Sequence, residues 1–335
     1  MNRTYTIIGG LIGLAVLALL IAHEGYSDLV GMLRQAGWGL LWLVPFHILP
    51  LALDAEGWLV LLRPRDPDGH ATRPFLIWIA FVREAISRLL PSASIGGEIV
   101  GIRLVARRPV SGTAVAASVV VEVLLTMINQ SLFTALGIAL LIVIVEQPPF
   151  LDTLIAGLAL SLPLPVAFAA VLRYGSPFTY LVGFAEKVIG DRFGIAALLG
   201  NAAGLDYEIR ALFKDPARLS LALGWQLAGM IVGSFETWFA LDLLGHPVSA
   251  SAAIALESLW LAVRHAVFFL PGALGVQETA LVMIGGLIGL PPNAAIALSL
   301  AKRFRELVTG LPALASWQWA ETRALAYKVQ AQPRR

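Results

Sequence analysis

Six apolar runs, each approaching or exceeding the length of a bilayer crossing, leave a chain like this few folds to choose from. They read at about 5–22, 39–62, 112–145, 153–172, 219–244 and 294–326, and two further apolar regions, 74–101 and 251–290, are irregular. About twenty apolar residues cross the hydrocarbon core as a helix, and lipid leaves every backbone polar group to be satisfied inside the segment. Only 14% of the residues are charged and 58% are hydrophobic, whereas soluble domains carry roughly a quarter charged residues. The expected fold is therefore an all-α, polytopic helical membrane protein, with residues 1–335 forming a single integral membrane domain. The runs 112–145 and 294–326 exceed the bilayer thickness, so they must tilt, protrude or kink, for which Pro312 offers a place. Arg3 precedes the apolar run Thr6–Ala22, and no small-x-small cleavage site follows, so a retained first span is expected.

The basic residues orient the spans. The segments 1–5, 63–73, 103–109, 173–218 and 322–335 hold 17 of the 24 Lys and Arg residues, while the alternate loops hold only Arg34. Cytoplasmic loops are the ones enriched in Lys and Arg. That predicts a multi-pass membrane protein with both termini cytoplasmic. The remaining six, Arg83, Arg88, Arg264, Lys302, Arg303 and Arg305, fall at membrane depth.

With that orientation, region 74–101 enters and leaves from the cytoplasmic side, and region 251–290 does the same from outside. Each carries a break rich in Pro, Gly and Ser: RLLPSASIGGEIVG at 88–101 and FFLPGALGVQETA at 268–280. A re-entrant hairpin is expected at each, because irregular backbone at membrane depth must face protein or a wet cavity. The two breaks belong to a longer echo. Glu56 precedes Pro91 by 35 residues and Glu236 precedes Pro271 by 35; Glu98 and Glu278 each follow their proline by seven. FVREAISRLLP (81–91) aligns with AVRHAVFFLP (262–271), so that Arg83 answers Arg264. Repeat A covers about 39–145 and repeat B about 219–326, in opposite topology, with a cytoplasmic amphipathic segment at about 173–218 between them. Inverted repeats with Gly/Pro-broken segments point to a transport site near the midplane.

An ionisable group inside a membrane needs a partner or a wet cavity. Arg83 and Arg264 are candidates to hold an anionic head group, since guanidinium presents a planar fork to phosphate. Glu98 and Glu278 are candidates to pair with them or to take up a proton. Glu56, Glu236, Lys302, Arg303 and Glu306 form a secondary set, the last three on one broad helix face. Trp42, Trp58, Trp78, Trp317 and Trp319 lie near span ends and read as interfacial anchors. The chain has no cysteine, and His23, His47, His70, His246 and His265 are scattered without metal-ligand spacing. No metal is expected, no cofactor other than a coupling proton, and no nucleic-acid partner. No catalytic motif stands out.

LLPSASIGGEIVGIRLV (89–105), AVAASVVVEVLL (114–125) and FFLPGALGVQETALV (268–282) resemble the lysylphosphatidylglycerol synthase transmembrane (flippase-like) family. By that resemblance Pro91, Gly96, Gly97 and Glu98 fall on a first motif, and Pro271, Gly272, Gly275 and Glu278 on a second. It implies a lipid flippase-like transporter moving a polar or anionic lipid between leaflets, with membrane lipid as substrate and lipid-biosynthesis enzymes as partners. The chain looks like the form without the synthase domain, and is also similar to the branch associated with hopanoid biosynthesis. It departs from the family in VVEVLLTMI, where Val123 and Thr126 stand at places that often hold Arg and Asp, so the substrate is not carried over. The alternative is an intramembrane subunit or enzyme of lipid modification.

Overall fold

The computed structural model of the chain describes residues 31, 34–90, 96–145, 148, 150–182, 201–267 and 275–331, with side chains as far as 323. The expected first span at 5–22 lies outside these. Among the described residues there is no strand. Eleven α-helices concern the site: α1 (Leu43–Leu62), α2 (Arg73–Leu89), α3 (Gly96–Val105), α4 (Gly112–Ile144), α5 (Leu151–Ser161), α6 (Pro163–Tyr174), α7 (Ala202–Leu212), α8 (Pro216–Leu243), α9 (Ala250–Ala266), α10 (Val276–Leu287) and α11 (Pro292–Ala331).

Local chemistry starts several of these helices where the sequence changes. Ser111, Asn201, Asp215 and Ser249 each accept a backbone N–H from the first turn of the helix that follows, satisfying a donor that the helix itself leaves free. Among the described residues, three stretches are long and apolar enough to cross a membrane: Arg34–Arg65, Gly112–Ile144 and Leu151–Tyr174. The last is divided into α5 and α6 at Pro163, which has no N–H to continue the helical ladder. Its apolar side chains face outward, with Leu160 82% and Val166 67% exposed, as a lipid-facing surface requires. Helices α8 and α11 also have the length, but they carry charge that is turned inward: Glu236 on α8 and Lys302 and Arg305 on α11 are buried.

The two irregular regions each become a pair of helices. α2 packs on α3, and α9 packs on α10; the breaks between them, 91–95 and 268–274, lie outside the described residues. Gly97 and Gly101 make the first pairing close. A Cβ at Gly97 would stand 2.5 Å from the Arg83 carbonyl oxygen, and one at Gly101 would stand 2.8 Å from Arg83 Cδ. α1 lies along α8, with Gly57 close to the Ala222 carbonyl and Gly229 close to the Pro50 carbonyl. α4 packs on α9, while α11 packs on α2.

Buried apolar side chains form three clusters. One gathers α8 to α11 with the C-terminal end of α4, a second gathers α1 to α4 with Ala313 of α11, and a third joins α1, α4, α6, α7 and α8. The expected amphipathic segment is described in part. α7 buries Asp206, whose carboxylate accepts the N–H groups of Phe178 and Thr179 and the Thr179 hydroxyl, capping the helical stretch 177–182. Residues 183–200 lie outside the described residues.

Gly97→Ala is expected to cost about 1–3 kcal/mol through overpacking. Gly224→Ala, where a Cβ would meet nothing within 4 Å, is expected to gain about 0.5–1 kcal/mol from helix propensity. Thermal melts in detergent read both; the same sign for the two would contradict the close α2–α3 approach.

Candidate functional site

Three charged clusters lie between the helices. The first surrounds Arg83 on α2. Its Nη1 donates to both carboxylate oxygens of Glu122 on α4, at 3.0 and 3.1 Å, and its Nη2 pairs with Glu98. The guanidinium carbon stands 4.9 Å from the Trp58 ring centroid, and Trp58 donates its indole N–H to Ser118. Glu98 is the third residue of α3, where the positive end of the helix dipole favours a carboxylate. Arg83 thus already has two carboxylates and an aromatic face. Trp58 is 1% exposed and belongs to this interior cluster, so it is not the interfacial anchor expected from its place near a span end. An arginine that must be buried is well served by a flat aromatic surface.

The second cluster surrounds Glu278, the third residue of α10 and fully buried. One oxygen accepts the N–H of Gly275, at 2.7 Å, where the backbone has φ +78 and glycine is favoured. The other accepts from Arg303 Nε at 2.8 Å, Arg303 Nη2 and Ser299 Oγ. Glu278 therefore caps its helix and ties it to α11. Beside it, Lys302 Nζ donates to Glu257 at 2.6 Å, and Thr237 donates to the same carboxylate. Lys302 and Arg264 both stand over the ring of Trp260, at 4.4 and 5.5 Å from its centroid. The buried indole N–H of Trp260 has no partner among the described residues.

The third cluster lies where α1, α2, α8 and α11 meet. His47 of α1 bridges Glu236 of α8, at 2.9 Å from Nδ1, and Glu84 of α2, at 2.7 Å from Nε2. Arg305 of α11 reaches Glu236 at 2.9 Å, the His47 ring at 2.8 Å and Glu84 at 3.4 Å. Arg88 pairs with Glu84, at 2.6 Å, and with Glu306. Arg264 of α9 ends the chain, reaching Glu306 at 3.4 Å. Arg264 thus shares one carboxylate with Arg88. A crevice lies against Arg88 and Glu306, bordered by Phe81, Glu84 and Thr309, with no room for a water molecule. A roomier cavity of about 180 Å³ lies among α1, α4, α7 and α8. It is edged by Arg65, Glu208, Asp215 and Arg218, whose charges pair with one another.

The residues singled out by sequence are distributed over these clusters. Arg83 and Glu98 meet, as do Glu278 and Arg303. Arg264 and Glu306 meet at the end of the third cluster, and Glu236 lies at its centre. Lys302 stands between the second and third. Gly97 allows the α2–α3 contact, Gly96 begins α3, and Gly275 is the N-cap just before α10. Glu278 and Arg264 are not paired with each other. Glu56 stays apart, bound to Arg73. Pro91, Pro271 and Gly272 lie outside the described residues. His47, Glu84, Arg88, Glu122, Glu257 and Arg305 complete the clusters without having been among the sequence candidates for the site. Their shared mark is an ionisable side chain inside an apolar run.

An all-helical chain with apolar outward faces and paired charges within defines a polytopic membrane protein with a polar interior. It belongs to the family described as lysylphosphatidylglycerol synthase TM region, whose model matches residues 6–313. No curated protein and no solved structure shows a match to the chain.

Removing one partner of a buried pair leaves an uncompensated charge and costs about 3–5 kcal/mol. Lys302→Met is expected to lose that much by thermal melting in detergent, and Lys302→Met with Glu257→Gln to recover most of it. A double variant that loses as much as Lys302→Met and Glu257→Gln added together would mean that the two side chains act independently.

Proposed function

We propose that the protein moves a polar or anionic lipid between the leaflets of a bacterial inner membrane, with the head group passing along the charged interior. The observation that carries this reading is the unequal pairing of the buried cations. Arg83 has two carboxylates, Lys302 has one of its own, and Arg264 has only a share in Glu306 at 3.4 Å. Beside Arg264, the Trp260 N–H is buried and unused. A phosphate or carboxylate entering there meets an under-matched guanidinium and, at the edge of the ring beneath it, a second donor. Membership of a family connected with a lipid synthase supports a lipid as cargo.

On this reading Arg264 takes the head group, while Arg83, Glu98 and Glu278 hold the helices that flank the breaks. Pro91, Pro271 and Gly272 stay in the path on sequence grounds. The crevice beside Arg88 and Glu306 must widen for passage.

The reading includes two inverted halves, each with a re-entrant hairpin. Its support is reciprocal packing: α4 of the first half packs on α9 of the second, α11 of the second packs on α2 of the first, and α1 and α8 lie together. A twofold relation between halves would produce that exchange. The orientation with cytoplasmic termini has support of the same kind. The basic segments meet one another, through Arg65 with Glu208 and through Arg103 and Arg107 with Glu321. On the other side Gln35 approaches Gly245.

Leaflet exchange of fluorescent lipids in reconstituted vesicles tests the proposal, using anionic, zwitterionic and polyprenyl lipids. One class should exchange faster than in empty vesicles. Arg264→Ala should slow that exchange by about tenfold or more, the scale of one charge-assisted hydrogen bond. No exchange of any class would favour an intramembrane subunit or enzyme of lipid modification instead.

A further inference from the structure

The junction of α1, α2, α8 and α11 contains a conflict that only a bound proton resolves. His47 Nε2 faces two groups at once, Glu84 Oε2 at 2.7 Å and Arg305 Nη1 at 2.8 Å, while Nδ1 faces Glu236 Oε2 at 2.9 Å. A ring nitrogen carries either a proton or a lone pair, and a guanidinium only donates. Nδ1, facing a carboxylate, donates.

If Nε2 carries a lone pair, it accepts from Arg305, and the Glu84 oxygen at 2.7 Å is a second acceptor pointed at the same lone pair. That contact is favourable only when Glu84 itself carries a proton and donates it. If Nε2 carries the proton, the imidazolium donates to Glu84, and Arg305, now a donor facing a donor, gives up its contact with Nε2 and keeps those with Glu84 Oε1 and Glu236. Both arrangements hold the same number of protons, one more than a neutral histidine beside an ionised glutamate.

We propose that His47 and Glu84 together form a proton-binding site, and that this site couples the proton gradient to movement of the anionic head group; the coupling half rests on the lipid-transport reading above. Sequence spacing directs attention to Glu98 and Glu278 for this role. Both are engaged otherwise, Glu98 with Arg83 and Glu278 with Arg303, Ser299 and the Gly275 N–H.

The surrounding charges give the coupling its sign. Facing the pair are Glu236 from α8, Arg88 from α2, and Arg305 from α11, with Lys302 about one turn before Arg305 and Glu306 next to it. Asp54 lies two turns along α1, and the charged group of α4, Glu122, is held by Arg83. Lys302 is neutralised by Glu257. The linked network contains Arg88, Arg264 and Arg305 against Glu84, Glu236 and Glu306, so it is neutral with these ionised. One added proton makes it a single net positive charge. That favours an anion at Arg264, and by linkage a bound anion favours the proton. Proton and anionic head group would travel together. Loss of the proton sets two acceptors against each other between α1 and α2, which favours their separation.

Infrared difference spectra across a pH titration of the purified protein in detergent test the site directly. Wild type should show one titrating signal that disappears in both His47→Gln and Glu84→Gln and persists in Glu208→Gln, a residue far from the junction. Glu84→Gln keeps the carboxylate shape and reads the same proton should His47→Gln fail to fold. No such signal in wild type, or one that survives loss of His47 or Glu84, overturns the proposal. Vesicles then test coupling with a fluorescent anionic phospholipid. Each pH unit imposed should bias wild-type exchange by about tenfold for one proton, and His47→Gln should exchange without that bias. Exchange biased equally in wild type and His47→Gln refutes the coupling. An intact titration signal with no lipid exchange in any vesicle refutes the transport reading and leaves the proton site standing.

Discussion

The junction of His47, Glu84, Glu236 and Arg305 is the contact on which the arrangement of the bundle turns. Four helices supply one residue each, and all four residues have little access to the surface. Apolar packing alone tolerates sliding and rotation of one helix on another, because lipid-like surfaces are interchangeable. Ion pairs do not, since withdrawing one partner from a buried pair costs about 3–5 kcal/mol. The junction therefore fixes the rotation of α1, α2, α8 and α11 relative to one another. The apolar clusters on either side fill the space that this fixes.

From the junction the charges run outward unequally. Toward α3 and α4 they end in Arg83, which is closed in by Glu98, Glu122 and Trp58. Toward α10 they end in Glu278, held by a backbone N–H and a guanidinium. Toward α9 they end in Arg264, which shares Glu306 with Arg88, and in Trp260, whose indole N–H has no partner among the described residues. An interior built only to lock the helices together would have no reason to leave its last donors short. On the reading proposed above, the imbalance at Arg264 is what a site that receives an anion requires.

Much of this was legible in the sequence, and the remainder was not for a physical reason. Helical spans follow from apolar run length, and helix starts from Ser111, Asn201, Asp215 and Ser249. The ends of α2 and α9 fall just before stretches rich in Pro and Gly, and the buried charges stand out as ionisable residues within apolar runs. Which charge meets which is another matter, because the partners of His47 lie 37, 189 and 258 residues away. A lone histidine in an apolar run carries no local mark of its role. Spacing also makes Glu56 and Glu236 look equivalent, yet Glu56 binds Arg73 near the end of its helix and Glu236 sits in the junction. Trp58 stands near a span end in sequence but under Arg83 in space. Periodicity reports which residues share a helix face; it does not report what that face meets.

A head-group site at Arg264 can be weighed without any transport assay. Native mass spectrometry of the gently solubilised protein counts lipids that remain bound after purification. Wild type should retain an anionic lipid, Arg264→Ala should lose it, and Arg173→Ala, a cation on α6 outside the network, should keep it. Equal retention by wild type and Arg264→Ala would contradict an anion-receiving interior, and the charges would then be structural pairs.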